Sequence, residues 1–160
     1  MMMLMIGEID RTAWHPKLQR LYDYWRSKCP AEGLPRKSDI DPVEIGPLLH
    51  DVFLVAVERP PLRFRFRLLG SGITSVSRPN VIGRTMDEVY PDVREKASYR
   101  DYVICSEEAE VRHYRGATMF NPDFNFLVTE RLLLPVTEGA GTVDFILGAA
   151  LYEDMTGKVI

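Results

Sequence analysis

Apolar residues recur with helical spacing near the start of the chain. Pro16 suits the first turn of a helix, because its missing N–H would have no partner there. Four apolar residues follow at i, i+3, i+4 and i+7, which places them on one side of that helix: Leu18, Leu21, Tyr22 and Trp25. The pattern predicts a helix over residues 15–28 with one apolar stripe.

A second, shorter helix is predicted to start at Pro42. Asp41 is a favourable N-cap, because its carboxylate can accept hydrogen bonds from the free N–H groups of the first turn. Glu44 lies three residues further on and would complete a capping box. Asp39 could bind Arg36 and fix the preceding loop. These roles are structural; the alternative for Asp39 and Asp41 is a metal or acid–base site.

Beyond residue 51 the apolar period changes from about 3.6 to 2. Residues 52–57 and 63–68 predict two strands joined by a short turn, an antiparallel hairpin. In the second strand Phe64, Phe66 and Leu68 alternate with three arginines, so we expect the apolar residues on one face. The arginine row is interpreted as a solvated face that meets acids on a neighbouring strand. The alternative is an anion site.

The rest of the chain returns to helices and then to strands. Helical segments are predicted at 72–77, 85–90 and 92–107. Strands are predicted at 111–120, 124–134 and 143–152, with Pro135 at a strand end or an edge position. Two strands, a helical excursion and three further strands predict an α+β fold built on a five-stranded antiparallel sheet.

Composition agrees with one globular domain. The chain has 160 residues, of which 46% are hydrophobic and 27% charged, and its net charge is −3. Nothing in this charge balance suggests nucleic acid. Cys29 and Cys105 form no CxxC pair, which is typical of a reducing, cytoplasmic setting. No uncharged run approaches the roughly 20 residues that span a bilayer, so no membrane association is expected.

Short motifs along the chain carry a resemblance to a known family. They are LYDYW at 21–25, PRKSDIDP at 35–42, FRLLG at 66–70, Gly83 and LLLP at 132–135. With the order of elements, they resemble the PAS superfamily, and within it a bacterial group of stand-alone PAS-like proteins best known from alphaproteobacteria. Ser71 departs from the threonine usual in that group. The resemblance implies a PAS domain over 51–160, with 1–50 as a helical extension of the same domain.

The family's cofactor signatures are not evident. Haem-binding PAS domains carry a histidine on the helix before the third strand, and residues 85–107 contain none. The cysteine motif of flavin-binding relatives is also not evident, and Cys105 is interpreted as a small buried hydrophobe. His113 comes later, in a predicted strand, and could lie at a pocket rim. An unidentified small molecule is the ligand that these observations leave open.

In PAS folds a pocket lies between the sheet and the long helix. The resemblance therefore implies a pocket near six residues, with Thr129 or Arg131 as polar contacts: Phe66, Leu68, Ile73, Val103, Ile104 and Tyr114. Because strand 124–134 is apolar on both faces, either Glu130 or Arg131 must point inward. An inward Arg131 could bind a carboxylate through two hydrogen bonds. The favoured interpretation is a buried or interfacial Glu–Arg pair, although alternation alone does not decide.

The last strand is also apolar on both faces, so its outer face needs a cover. The stripe of the first helix (Leu18, Leu21, Tyr22, Trp25) is the natural cover, from the same chain or from a partner. Dimers formed by helices across this face are typical of PAS domains. We therefore hypothesise a homodimer.

The favoured function is a non-catalytic PAS sensor or protein-interaction module. With 160 residues there is no room for a further output domain, so we expect it to act through an unidentified signalling protein. The alternative is a small cone-shaped α+β enzyme, an isomerase or hydratase, with a carboxylate or histidine dyad deep in the cavity. No such dyad stands out in the sequence. A third possibility is a purely structural module with a filled core.

Overall fold

The strands form one antiparallel sheet. The computed structural model describes residues 9–118, 122–124 and 126–160. Within these ranges the strands are β1 (Val52–Glu58), β2 (Arg63–Leu69), β3 (Arg112–Ala117), β4 (Val128–Val136) and β5 (Phe145–Glu153). They lie in the order β2-β1-β5-β4-β3, which confirms the predicted five-stranded antiparallel sheet.

Helices cover both faces of this sheet. They are α1 (Pro16–Lys28), α2 (Pro42–Ile45), α3 (Ser71–Thr74), α4 (Met86–Val89) and α5 (Ala97–Glu108). Helix α5 contacts β3, β4 and β5, whereas α1 contacts β4. The α+β class and the N-terminal helical extension are therefore confirmed. In the described ranges, none of the helices combines the length and the apolar character needed to cross a lipid bilayer.

Several boundaries differ from the predicted ones. The strand expected at 111–120 is Arg112–Ala117, and residues 119 and 120 lie outside the described ranges. The strand expected at 124–134 begins at Val128 and continues to Val136. Residues 122–124 form a 3-10 turn between these strands, and Asn121 is not among the described residues.

Pro135 lies at an open flank of β4. The pairing of β3 with β4 stops at Arg112↔Leu133, while β4 still pairs with β5 at Pro135↔Ile146. Pro135 has no N–H to donate, and among the strands that the structure describes none lies beside it past the end of β3 to accept one. Its carbonyl accepts a hydrogen bond from Trp25 Nε1 at 2.9 Å. The edge position predicted for Pro135 is therefore right.

A β-bulge breaks the alternation of β2. Leu54 pairs with Leu68 but Val55 pairs with Phe66, so Arg67 is an extra residue. Leu68 consequently moves to the outer face and is 37% exposed, while Leu69 takes the inner position. The prediction that Phe64, Phe66 and Leu68 share one face is wrong for Leu68.

The arginine row of β2 does meet acids. Arg65 binds Glu58 of the neighbouring strand β1 through Nε at 2.6 Å and Nη2 at 3.0 Å. Arg63 Nε lies 3.7 Å from Oδ2 of Asp87, which is a residue of α4. The interpretation as a structural, ion-paired face is confirmed for Arg65.

Asp41 caps α2 as predicted, but Glu44 does not complete a capping box. The Asp41 carboxylate accepts from Val43 N at 2.9 Å. Glu44 instead accepts from the Tyr24 hydroxyl at 2.9 Å, and that hydroxyl oxygen accepts from Asp41 N at 2.8 Å. Glu44 therefore bonds to Tyr24 on α1 and not to the backbone N–H of Asp41, so a tertiary contact replaces the local capping bond.

Asp39 fixes the loop before Pro42, although by another bond than expected. Its carboxylate accepts from the backbone N–H of Arg36 at 3.1 Å rather than from the guanidinium. The loop is also tied to the sheet, because Lys37 N donates to the Thr137 carbonyl at 2.8 Å.

Candidate functional site

A cavity lies between the inner face of the sheet and α5. Its volume is about 90 Å³. The sheet contributes Phe53, Phe66, Tyr114, Thr129, Arg131 and Tyr152, α5 contributes Ser98 and Tyr102, and the intervening helices and loops contribute Ile73, Val76, Val81 and Tyr90. Most of the lining is thus apolar or aromatic, with a few polar groups.

Arg131 is the charged residue of this lining. Its side chain is 7% exposed, and Nη2 donates to Asp101 Oδ2 at 2.7 Å. The guanidinium carbon lies 5.0 Å from the centroid of the Tyr102 ring and 5.2 Å from that of Tyr114. A buried cation needs such partners, because transfer from water is otherwise costly. Arg131 is therefore the member of the Glu130–Arg131 pair that faces the cavity.

Asp101 is shared between two arginines. Its second oxygen, Oδ1, accepts from Arg112 Nε at 2.9 Å. One carboxylate of α5 thus connects the helix to both β3, through Arg112, and β4, through Arg131. This arrangement fixes the position of α5 over the sheet at the polar end of the cavity.

Two buried polar atoms at this end have no hydrogen-bond partner among the described residues. They are Arg131 Nε and Ser98 Oγ. Both residues line the cavity, and the carbonyl of Ser98 lies 3.5 Å from Arg131 Nη1. An unpaired buried polar atom is destabilising by roughly 1–3 kcal/mol. The cavity can therefore offer two hydrogen bonds to a bound molecule or to water.

Three tyrosines of the lining, Tyr90, Tyr102 and Tyr152, remain neutral over the ordinary pH range. Burial raises the pKa of Tyr102 to about 12. Burial likewise raises the pKa of Tyr90 and of Tyr152 above the ordinary value. Their rings act as flat, uncharged walls, and their hydroxyls stay protonated.

Glu130 lies under the opposite face of the sheet. Its Oε2 accepts from His15 N at 2.9 Å and lies 2.9 Å from His113 Nε2. The His113 ring stacks on Trp14, with centroids 4.9 Å apart and planes 9° apart. Glu130 and Arg131 each have their own partners, so the favoured interpretation of a buried pair is wrong for these two residues. His113 faces outward and is not part of the cavity lining.

Five of the eight predicted pocket residues line the cavity: Phe66, Ile73, Tyr114, Thr129 and Arg131. Leu68, Val103 and Ile104 do not. The bulge at Arg67 turns Leu68 outward. Val103 and Ile104 are half-buried, since α5 turns a different side to the sheet.

Sequence reasoning missed the part of the lining that α5 supplies. The buried side of α5 carries Ser98, Tyr102, Cys105 and Ser106, at helical spacing. Because two of these residues are serines, the sequence shows no clear apolar stripe on the buried side of α5. Tyr152 could have been found, because it shares its face of β5 with Ala150 and pairs with Thr129.

The stripe of α1 is buried within the same chain. Leu18, Leu21 and Trp25 are fully buried and Tyr22 nearly so. The sequence left open whether the same chain or a partner covers the outer face of the sheet. Over β4, helix α1 of the same chain covers it. Over β1 and β5 the outer face retains a groove of about 540 Å³, bounded by Leu54, Leu68, Arg67, Lys37, Glu138 and Leu147 among others.

Cys105 lies buried on α5. Burial raises the pKa of its thiol, so the thiol stays protonated and is a poor nucleophile. This agrees with its interpretation as a small buried hydrophobe.

Comparison with known proteins is consistent with this arrangement. The family model described as "PAS domain" matches residues 13–151, which includes most of the N-terminal extension. Among solved structures, a chain described as "Structure of an RNA-binding Light-Oxygen-Voltage Receptor" is 20% identical with a TM-score of 0.44; the match covers 76% of this chain and 36% of that one. This chain thus spans about a third of that receptor's length. None of the curated proteins matches the sequence. On the match over residues 13–151, the chain belongs to the PAS domain family.

Proposed function

We propose that this PAS domain is a non-catalytic sensor that binds a small molecule between the sheet and α5 and signals through a partner protein. The observation that carries the proposal is the pair of unpaired buried donors, Arg131 Nε and Ser98 Oγ, in the lining of a cavity. The ion pair with Asp101 uses Nη2 of Arg131 and leaves Nε without a partner, so the structural role of Arg131 does not account for this second donor.

The volume of the cavity bears on the kind of ligand. Pockets for drug-sized molecules measure roughly 300–1,000 Å³. The volume of about 90 Å³ available in this cavity is far smaller. This favours a compact metabolite over a flavin or a haem.

The attachment of α5 suggests how occupancy would be transmitted. Asp101 connects α5 to Arg131 inside the cavity and to Arg112 on β3. A ligand that binds Arg131 would compete with Asp101 or tighten its geometry. Either change would shift α5 relative to β3 and alter the surface that a partner reads.

The test combines native mass spectrometry of the purified protein with methyl-labelled NMR during a screen of small fragments. We expect an added mass, or saturable shifts of the Ile73, Val76 and Val81 methyl groups. Leu68 and Val43 report on the outer surface and serve as controls that should not shift. If no fragment perturbs the cavity methyls and no mass is added, the sensor proposal is wrong.

The outer groove favours a second and compatible role, self-association. It carries apolar residues together with both signs of charge, Arg67 and Lys37 against Glu138. A surface with both signs can pair with a second copy of itself about a two-fold axis. Light scattering at tens of micromolar should show a dimer that Leu68→Glu converts to a monomer, whereas Ser75→Glu on the exposed end of α3 leaves it unchanged. A monomeric wild-type chain would contradict this role.

A further inference from the structure

We infer that the cavity binds a short-chain monocarboxylate, whose carboxylate group accepts hydrogen bonds from Arg131 and Ser98. This inference deepens the proposed sensor function and rests on it. It concerns the chemistry of the ligand, which follows from the groups left unpaired at one end of the cavity.

The unpaired groups call for an acceptor. Arg131 Nε can only donate, and the Ser98 hydroxyl can donate as well. A carboxylate is a pure acceptor, with two oxygens that can take one hydrogen bond each. An ammonium group has no acceptor, so it would leave Arg131 Nε without a partner and would place like charges together.

The charges around this end are compatible with an anion. Arg131 and Arg112 share the single carboxylate of Asp101, at 2.7 and 2.9 Å. The other acid near Arg112 is Glu110, which is half exposed and contacts Arg112 Nη1 at 3.4 Å. Solvent screens that contact, so the carboxylate of Asp101, at the edge of the cavity, is the close counter-ion of both guanidinium groups, and Arg131 is the one that lines the cavity. A second carboxylate on Arg131 would complete the pairing.

The rest of the lining limits the size and the polarity of the part of the ligand beyond its carboxylate. Away from Arg131 the walls are apolar or aromatic, and they include Phe66, Ile73 and Val81. A dry apolar cavity of about 150 Å³ holds a benzene molecule. The 90 Å³ here therefore suits a chain of a few carbon atoms, such as propionate or butyrate.

The experiment compares propionate with propionamide, its neutral isostere, in ¹H–¹⁵N and methyl NMR titrations of the full chain. We expect propionate to shift the signals of Ser98 and Ile73 in a saturable manner and to bind at least about tenfold more tightly than propionamide, since charge-assisted bonds are the stronger ones. Ser98→Ala should weaken propionate binding by roughly tenfold or more, because it removes one hydrogen bond to a charged group. Arg131→Gln should abolish it.

Ser71→Ala is the matched control. Ser71 is an exposed serine whose hydroxyl lies 2.7 Å from His50 Nδ1, away from the cavity lining. It should leave the affinity unchanged. Ser98→Ala removes an atom that has no protein partner, so it keeps the test decisive even if Arg131→Gln fails to fold.

The outcomes separate the inference from the function on which it rests. Equal binding of propionamide, or propionate binding that Ser98→Ala leaves unaltered, overturns the carboxylate assignment but not the sensor function. Fragment binding in the cavity with no response to propionate does the same. If neither propionate nor any fragment binds, the cavity holds only water and both proposals are wrong.

Discussion

Glu130 and Arg131 are neighbours in the chain and are buried under opposite faces of β4. Arg131 binds Asp101 on the cavity side, and Glu130 binds His15 N and His113 on the side of the N-terminal extension. The strand alternation separates the two charges, so each requires a partner from a different layer. The result is one polar anchor for α5 and one for the extension.

Removing the Glu130 carboxylate should detach the N-terminal segment from the sheet. In Glu130→Ala, the backbone N–H of His15 and Nε2 of His113 both lose their acceptor, and we expect a loss of about 2–4 kcal/mol in the free energy of unfolding. Glu130→Gln retains one acceptor oxygen and should cost less. Urea unfolding measures both. The exposed Glu138→Ala should stay within roughly 0.5 kcal/mol of the wild type; a similar small effect for Glu130→Ala would contradict the anchor.

The sequence predicts more of the fold than of the candidate site. The change of period from 3.6 to 2 located α1 and the strands, because burial of one face dictates those periods. The bulge at Arg67 follows from the pairing of β1 with β2, and no local pattern marks it. The orientation of α5 was equally hidden, because Ser98 and Ser106 are buried for reasons that only the tertiary structure supplies. The sequence predicts that one charged residue of β4 faces the cavity, but it does not tell Glu130 from Arg131.

The hydrogen bond from Trp25 to Pro135 should be measurable on its own. Trp25→Phe removes the indole N–H and leaves an aromatic ring, so we expect about 1–2 kcal/mol of destabilisation from the lost bond and the smaller ring. Tyr24→Phe is the control on the same helix, because its hydroxyl partners Asp41 N and Glu44 are exposed and can bind water instead. Chemical denaturation compares the two. Equal effects would mean that the indole bond adds nothing.

Gly148 allows the Phe53 ring to lie directly against β5. A Cβ at residue 148 would overlap the Phe53 ring, so Gly148→Ala must displace that ring toward the cavity that it lines. We expect a loss of roughly 1–3 kcal/mol from overpacking and weaker ligand binding. Gly72→Ala should cost less, since the nearest atom it meets, at 2.6 Å, belongs to the exposed and movable His50 ring. Thermal unfolding that ranks the two variants in the opposite order would refute this account.

Stability should fall at high pH through Tyr102. Burial raises its folded-state pKa to about 12, from an ordinary value of 10.0. The folded state therefore retains a proton that the unfolded state loses. The stabilisation is complete below pH 10 and is lost as the pH rises toward 12, by about 2–3 kcal/mol at 1.36 kcal/mol per pH unit. Urea unfolding between pH 9 and 11.5 tests this, and Tyr102→Phe should show a shallower decline; an identical slope in that variant would assign the decline to other groups.

Beyond Leu133, no strand of the described part of the chain lies beside β4 on its β3 side. The N-terminal extension takes that place, because Lys37 N and the Pro35 carbonyl bond to Thr137 while Trp25 binds the Pro135 carbonyl. An unprotected strand edge is a template on which another chain can add. The extension therefore prevents other chains from pairing with this edge of β4. A chain shortened to begin at Pro42 would expose this flank of β4 together with the apolar face beneath α1, and it would associate edge to edge.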